Sequence, residues 1–144
     1  MRDFNQWLFE EYTVGIEIPN AHLAVSNRRA DMPKLYDIAK FVADLGQNGI
    51  GMDVRMVDPK TLKPGQSVED IDMDKVSGMM EHPNLTLDAP LYISKDLFVV
   101  DGHHRWVAAA NNNVPILANH INMMFHDLIE FLNGLQYPLN KDVE

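Results

Sequence analysis

Five consecutive residues, Asp101-Gly102-His103-His104-Arg105, stand between the β-branched pair Val99-Val100 and the apolar run Trp106 to Ala110. That pattern reads as a strand, a polar turn containing glycine, and the first turn of a helix. A helix start exposes unpaired backbone N–H groups and the positive end of the helix dipole. Gly102 permits close approach of a ligand to the backbone, and His104 and Arg105 add donors suited to phosphate. Asp101, on the other side of the glycine, would repel a bare phosphate. It suits a magnesium ion bridging phosphates, or a hydroxyl that must lose its proton. A simpler reading makes Asp101 a helix cap and the two histidines surface polar residues. One residue is enough to cap a helix, however, so capping does not account for two histidines and an arginine together.

The elements that must hold this turn follow from periodicity. Leu91 to Ser94 and Leu97 to Val100 flank Lys95-Asp96 and read as a hairpin with a two-residue turn, aimed at Asp101. His103 to Asn112 reads as a helix whose alanines let it lie close against a sheet, closed by Asn111-Asn112-Asn113, and Trp106 is expected in the core. Pro115 to Ile121 is a strand candidate, and Phe125 to Leu132 a final helix ended by Gly134. Upstream, Phe4 to Tyr12 has helical spacing and Val14 to Ile18 reads as extended. Asp31 and Pro33 open a helix running through Leu35, Ile38, Val42 and Leu45 to Gly46 and Gly49. Ile50 to Val57 alternates as a half-buried strand, and Asp72 caps a short helix through Met80, terminated by His82-Pro83-Asn84. Mixed strands and helices with local hairpin pairing make this an α+β fold: one compact domain over residues 1–144, a small mixed sheet packed by helices.

The 144 residues contain no cysteine, which excludes disulfides, thiolate metal sites and cysteine nucleophiles. Twelve Lys and Arg against 21 Asp and Glu give a net charge of -9. General DNA binding, which would need most of those cations on one face, is therefore not expected. No apolar run approaches the ~18 residues that suggest a membrane span. The N-terminus lacks secretory-signal character, so a cytoplasmic location is expected.

Asp101-Gly102-His103-His104-Arg105, with the preceding hairpin and the following Ala108-Ala109, resembles the signature of the ParB/sulfiredoxin fold. Leu62-Lys63-Pro64-Gly65-Gln66, followed by Glu69 and the helix from Asp72, is similar to the family's upstream link. The family's element order is followed from about residue 50 to residue 121, leaving an N-terminal helical extension and a C-terminal helix. Asp31-Met32-Pro33-Lys34-Leu35 is similar to an element of small phage-type members. Sulfiredoxins carry a catalytic cysteine where this chain has His103, so sulfinic-acid repair is excluded. Partition proteins carry a doubled arginine in the signature, which this chain lacks, and the DNA-binding region that follows it in them is not expected here.

The Asp-Gly-His-His-Arg form is the one found in free serine kinases of this fold. The resemblance implies a nucleotide-dependent phosphotransferase or nucleotidase using a nucleoside triphosphate or diphosphate with Mg2+, and a small hydroxyl-bearing substrate. It implies that Gly102, His103, His104 and Arg105 cradle the phosphates, with Gln66 beside them. Asp101 would assist the metal or the acceptor hydroxyl, His103 would join the catalytic group, and Glu69 would be the catalytic base. The loop looks one residue longer than the family's, so Asp70 could take the place of Glu69. The alternatives are a non-catalytic module binding nucleotide, DNA or protein, and a ParB-like nuclease. A local basic patch at Arg28, Arg29 and Lys34 would serve the DNA-binding variant.

Overall fold

The computed structural model describes residues 15–25, 38–81 and 90–134. The expected helix over 4–12, the basic pair Arg28-Arg29, the start of the helix after Asp31 and the stop at His82-Pro83-Asn84 lie outside them. Within the described residues the chain forms four strands, β1 (Met52–Val57), β2 (Leu91–Ile93), β3 (Val99–Asp101) and β4 (Ile116–Ile121). Four α-helices accompany them: α1 (Ile38–Gln47), α2 (Met73–Met80), α3 (His103–Asn111) and α4 (Phe125–Asn133). The sheet order is β1-β4-β2-β3. β1 runs antiparallel to β4 and β3 antiparallel to β2, while β2 and β4 are parallel. The fold is the expected α+β domain.

Alternation along the strands sends side chains to two cores. On one face Leu91, Ile93, Val99, Ile116 and Ala118 pack with Val76 of α2 and with Trp106, Val107, Ala108 and Ala109 of α3. On the other, Tyr92, Val100 and Ile121 pack with Phe41 and Leu45 of α1 and with Phe125, Leu128 and Leu132 of α4. The i, i+4 spacing of Phe41 with Leu45, and of Leu128 with Leu132, puts each pair on one helical face. α3 carries the chain from β3 to β4, and its alanines, Ala108 and Ala109 fully buried, let it lie close to the sheet. Trp106 is fully buried as expected, and its indole Nε1 donates to the Pro59 carbonyl at 2.6 Å.

The hairpin differs from the expected two-residue turn. Its loop comprises Lys95, Asp96 and Leu97, closed by Ser94 N–H donating to the Phe98 carbonyl, with Leu97 in the left-handed region at φ 69°. A three-residue loop needs one such residue, and polar bonds hold it here. Ser94 Oγ donates to Asp96 and accepts from Phe98 N–H, and Asp96 also accepts from the Phe125 N–H at the start of α4.

Candidate functional site

The site is built where β3 gives way to α3. The chain must turn sharply there, and Gly102 does so at φ 95°, a conformation that side chains disfavour. A Cβ at Gly102 would sit 2.6 Å from Leu91 Cδ2 and 2.7 Å from Arg105 Nη2. The Arg105 guanidinium is thus folded back over the glycine at the start of α3. Arg105 Nε is buried and has no hydrogen-bond acceptor among the described residues.

Residues 62–66 run along the outer side of β3. Lys63 pairs with Phe98 in parallel, its N–H donating to the Leu97 carbonyl and its carbonyl accepting from Val99 N–H. Beyond this single bridge the chain bends, and Gly65 N–H donates to His103 Nε2, which brings the segment against the start of α3. Gly65 is required by the close approach, since a Cβ there would lie 1.9 Å from the Val99 carbonyl oxygen. Gln66 is 2% exposed, and its side-chain Nε2 is buried without an acceptor among the described residues. Two N–H donors that the described residues leave unsatisfied, Gln66 Nε2 and Arg105 Nε, are therefore carried by the two segments that meet at the start of α3.

The two histidines have a task that their sequence position did not reveal. His103 Nε2 accepts the Gly65 N–H at 3.0 Å, and His104 Nε2 accepts the Asp72 N–H at 3.0 Å. A backbone amide only donates, so both Nε2 atoms carry no hydrogen and both rings hold a proton on Nδ1. His103 is 4% and His104 9% exposed. The rings therefore latch the link and the start of α2 to α3. Neither Nε2 is therefore available as a donor to phosphate.

Asp101 ends β3, half-buried, and is set by a bulge. Tyr92 of β2 faces Asp101 while the next residue, Ile93, faces Val99, so Val100 is an extra residue in β3. Tyr92, which sequence reasoning overlooked, lies within the field of the Asp101 carboxylate. Its phenol is pushed above the usual tyrosine range, first by burial and second by the charge of Asp101. No hydrogen bond joins Asp101 to the first-turn amides of α3 among the described residues, so it does not act as the helix cap. Glu69 and Asp70 lie in the short 3-10 turn Val68–Asp70 that leads to α2, Glu69 exposed and Asp70 partly buried. Asp72 caps α2 by accepting from the N–H groups of Asp74 and Lys75.

No group of three or more His, Asp or Glu side chains among the described residues is arranged to hold a metal ion. Two clefts, of about 380 and 330 Å³, lie beside the far end of α3. One is lined by Glu17, Asn20, Lys60 and Asn111, the other by Met56, Asp58, Asn113 and Pro115. Both are away from the Asp101 to Arg105 turn. The described helices include none long and apolar enough to cross a membrane. Compared with protein-family models, with curated proteins and with solved structures, the chain matches none.

Proposed function

We propose that this chain is a ParB/sulfiredoxin-like nucleotide-binding protein that holds phosphates at the start of α3, and that it transfers or hydrolyses a phosphoryl group there. The carrying observation is the pair of unsatisfied buried donors, Arg105 Nε and Gln66 Nε2, at a helix start with no acidic residue in its first turn. A buried polar group left without a partner costs about 1–3 kcal/mol, and an anionic acceptor would recover that cost at both atoms. The first-turn amides would add the helix-end attraction for negative charge. His103 and His104 act as positioning residues in this reading: they fix the link that carries Gln66 and the turn that carries Glu69 and Asp70.

Asp101 is the carboxylate suited to Mg2+, which commonly takes one or two carboxylates and completes its shell with phosphate oxygens and water. When bound, the ion would neutralise charge developing on the transferred phosphoryl group. Glu69 or Asp70 would take the proton of a small hydroxyl acceptor.

Isothermal titration with nucleoside di- and triphosphates, with and without magnesium, tests the binding. Nucleotide consumption in the presence of small hydroxyl compounds, free serine included, tests the turnover. Loss of turnover in Asp101→Asn and in either Glu69→Gln or Asp70→Asn, with affinity largely kept, supports phosphoryl transfer. A second reading, binding without turnover, is favoured by the use of both imidazole Nε2 atoms as latches. Tight nucleotide binding with no consumption under any of these conditions would establish it. Absence of any nucleotide binding would overturn both.

A further inference from the structure

The two edges of the sheet are treated differently. The outer side of β3 is covered by the link at Lys63. β1, at the opposite end, pairs with β4 over six consecutive residues with no bulge, and among the described residues no strand lies on its other side. Edge strands are usually blunted by proline, bulges or short length. β1 has none of these; its charged residues, Asp53 and Arg55, which can also guard an edge, are paired with each other, and it exposes Val54 at 58% and Met56 at 50%.

Which backbone groups face outward follows from the register. Asn122 N–H donates to the Gly51 carbonyl, so that pair is a hydrogen-bonded one. Pairs alternate along an antiparallel ladder, which makes Asp53, Arg55 and Val57 the residues bonded to β4. Met52, Val54 and Met56 therefore direct their N–H and C=O groups away from the sheet.

The side chains of Met52-Asp53-Val54-Arg55-Met56 form a pattern complementary to its own reverse. We propose that the protein forms a two-fold symmetric dimer in which β1 pairs antiparallel with β1 of a second copy, Val54 opposite Val54 and Asp53 opposite Arg55. In that register Met52 faces Met56 of the second copy, and every outward backbone group from Met52 to Met56 finds a partner. The Asp53–Arg55 pairs occupy non-hydrogen-bonded positions, where facing side chains approach most closely. Shifting to either neighbouring register with the same hydrogen bonding sets Asp53 against Asp53 or Arg55 against Arg55. Within one chain Arg55 Nε already meets Asp53 Oδ2 at 2.8 Å, and the dimer joins two such pairs into a ring of alternating charge. The candidate phosphate site lies at the other end of the sheet and is untouched by this pairing.

Sedimentation of the full chain from micromolar to millimolar concentration tests the proposal. Wild type is expected to dimerise. D53R and R55D each set like charges opposite one another and are expected to weaken the dimer by about tenfold or more. An equimolar mixture of D53R with R55D restores opposite charges at both positions, and is expected to recover dimer that neither variant forms alone. V54P blocks an outward N–H without touching the β4 ladder and is expected to give a folded monomer, checked by circular dichroism. A wild type that stays monomeric overturns the proposal. So does a dimer unaffected by D53R and R55D, and so does a mixture that recovers nothing.

Discussion

Replacing His103 with alanine separates a latch from a catalytic group. The ring accepts the Gly65 N–H at 3.0 Å and stands edge-on to Trp106 with centroids 6.2 Å apart. Gly65 is buried, so removing the ring leaves its N–H without an acceptor, at a cost of about 1–3 kcal/mol. The lost aromatic contact adds about 0.5–1.5 kcal/mol. His103→Ala is therefore expected to lose about 2–4 kcal/mol in urea denaturation, read as a lower midpoint at unchanged slope. His103→Gln, which supplies an acceptor oxygen, is expected to recover part of the loss. A His103→Ala protein of near wild-type stability that no longer binds nucleotide would refute the latch and return the ring to direct contact with ligand.

Other substitutions probe the same construction. Gly65→Ala forces a methyl group into the Val99 carbonyl, which no rotamer can relieve. It is expected to cost about 3 kcal/mol or more, whereas Gly78→Ala on α2, where a Cβ meets nothing within 4 Å, should gain about 0.5–1 kcal/mol in the same denaturation assay. Trp106→Ala is expected to cost about 3–5 kcal/mol by thermal or urea unfolding, and Trp106→Phe about 1–3 kcal/mol, because the Pro59 carbonyl loses its donor. Tyr92 should ionise above the ordinary tyrosine range in an absorbance titration. Its raised value favours the folded state fully below the ordinary tyrosine pKa of about 10, and that contribution is lost as pH rises through the folded value. Tyr92→Phe should remove that raised component, and Asp101→Asn should reduce the shift only in part, since burial is its larger cause.

Elements whose burial repeats along the chain were legible from the residues alone. The apolar spacing of Phe125, Leu128 and Leu132 reproduces in the sequence the face that is buried, whereas the alternation of β1 located the strand but not its burial: it was expected to be half-buried, and as an edge strand it leaves Val54 and Met56 exposed. Trp106 could be placed in the core because it is the first large apolar residue after a polar turn. What stayed hidden depends on partners distant in sequence. Nothing next to His103 or His104 announces that their acceptors serve Gly65 and Asp72, 38 and 32 residues earlier. Asn111, read only as a helix stop, exchanges two hydrogen bonds with the backbone of Glu17, and Asn112 donates to the Met80 carbonyl. The three-residue hairpin loop was missed because left-handed backbone is expected at Gly or Asn, and Leu97 is neither. The bulge that aims Asp101 leaves no local mark, since Val99-Val100 reads as ordinary strand.

The two unsatisfied donors can be observed directly. In 1H–15N spectra the Arg105 Nε–H and the Gln66 side-chain amide give resolved resonances, assignable through Arg105→Met and Gln66→Met variants. Titration with inorganic pyrophosphate, and then with a nucleoside triphosphate and magnesium, should shift both resonances together with the first-turn amides of α3, saturating with a single affinity that Arg105→Met abolishes. Resonances of Arg105, Gln66 and the α3 start that stay unmoved at saturating ligand would contradict phosphate binding at this turn.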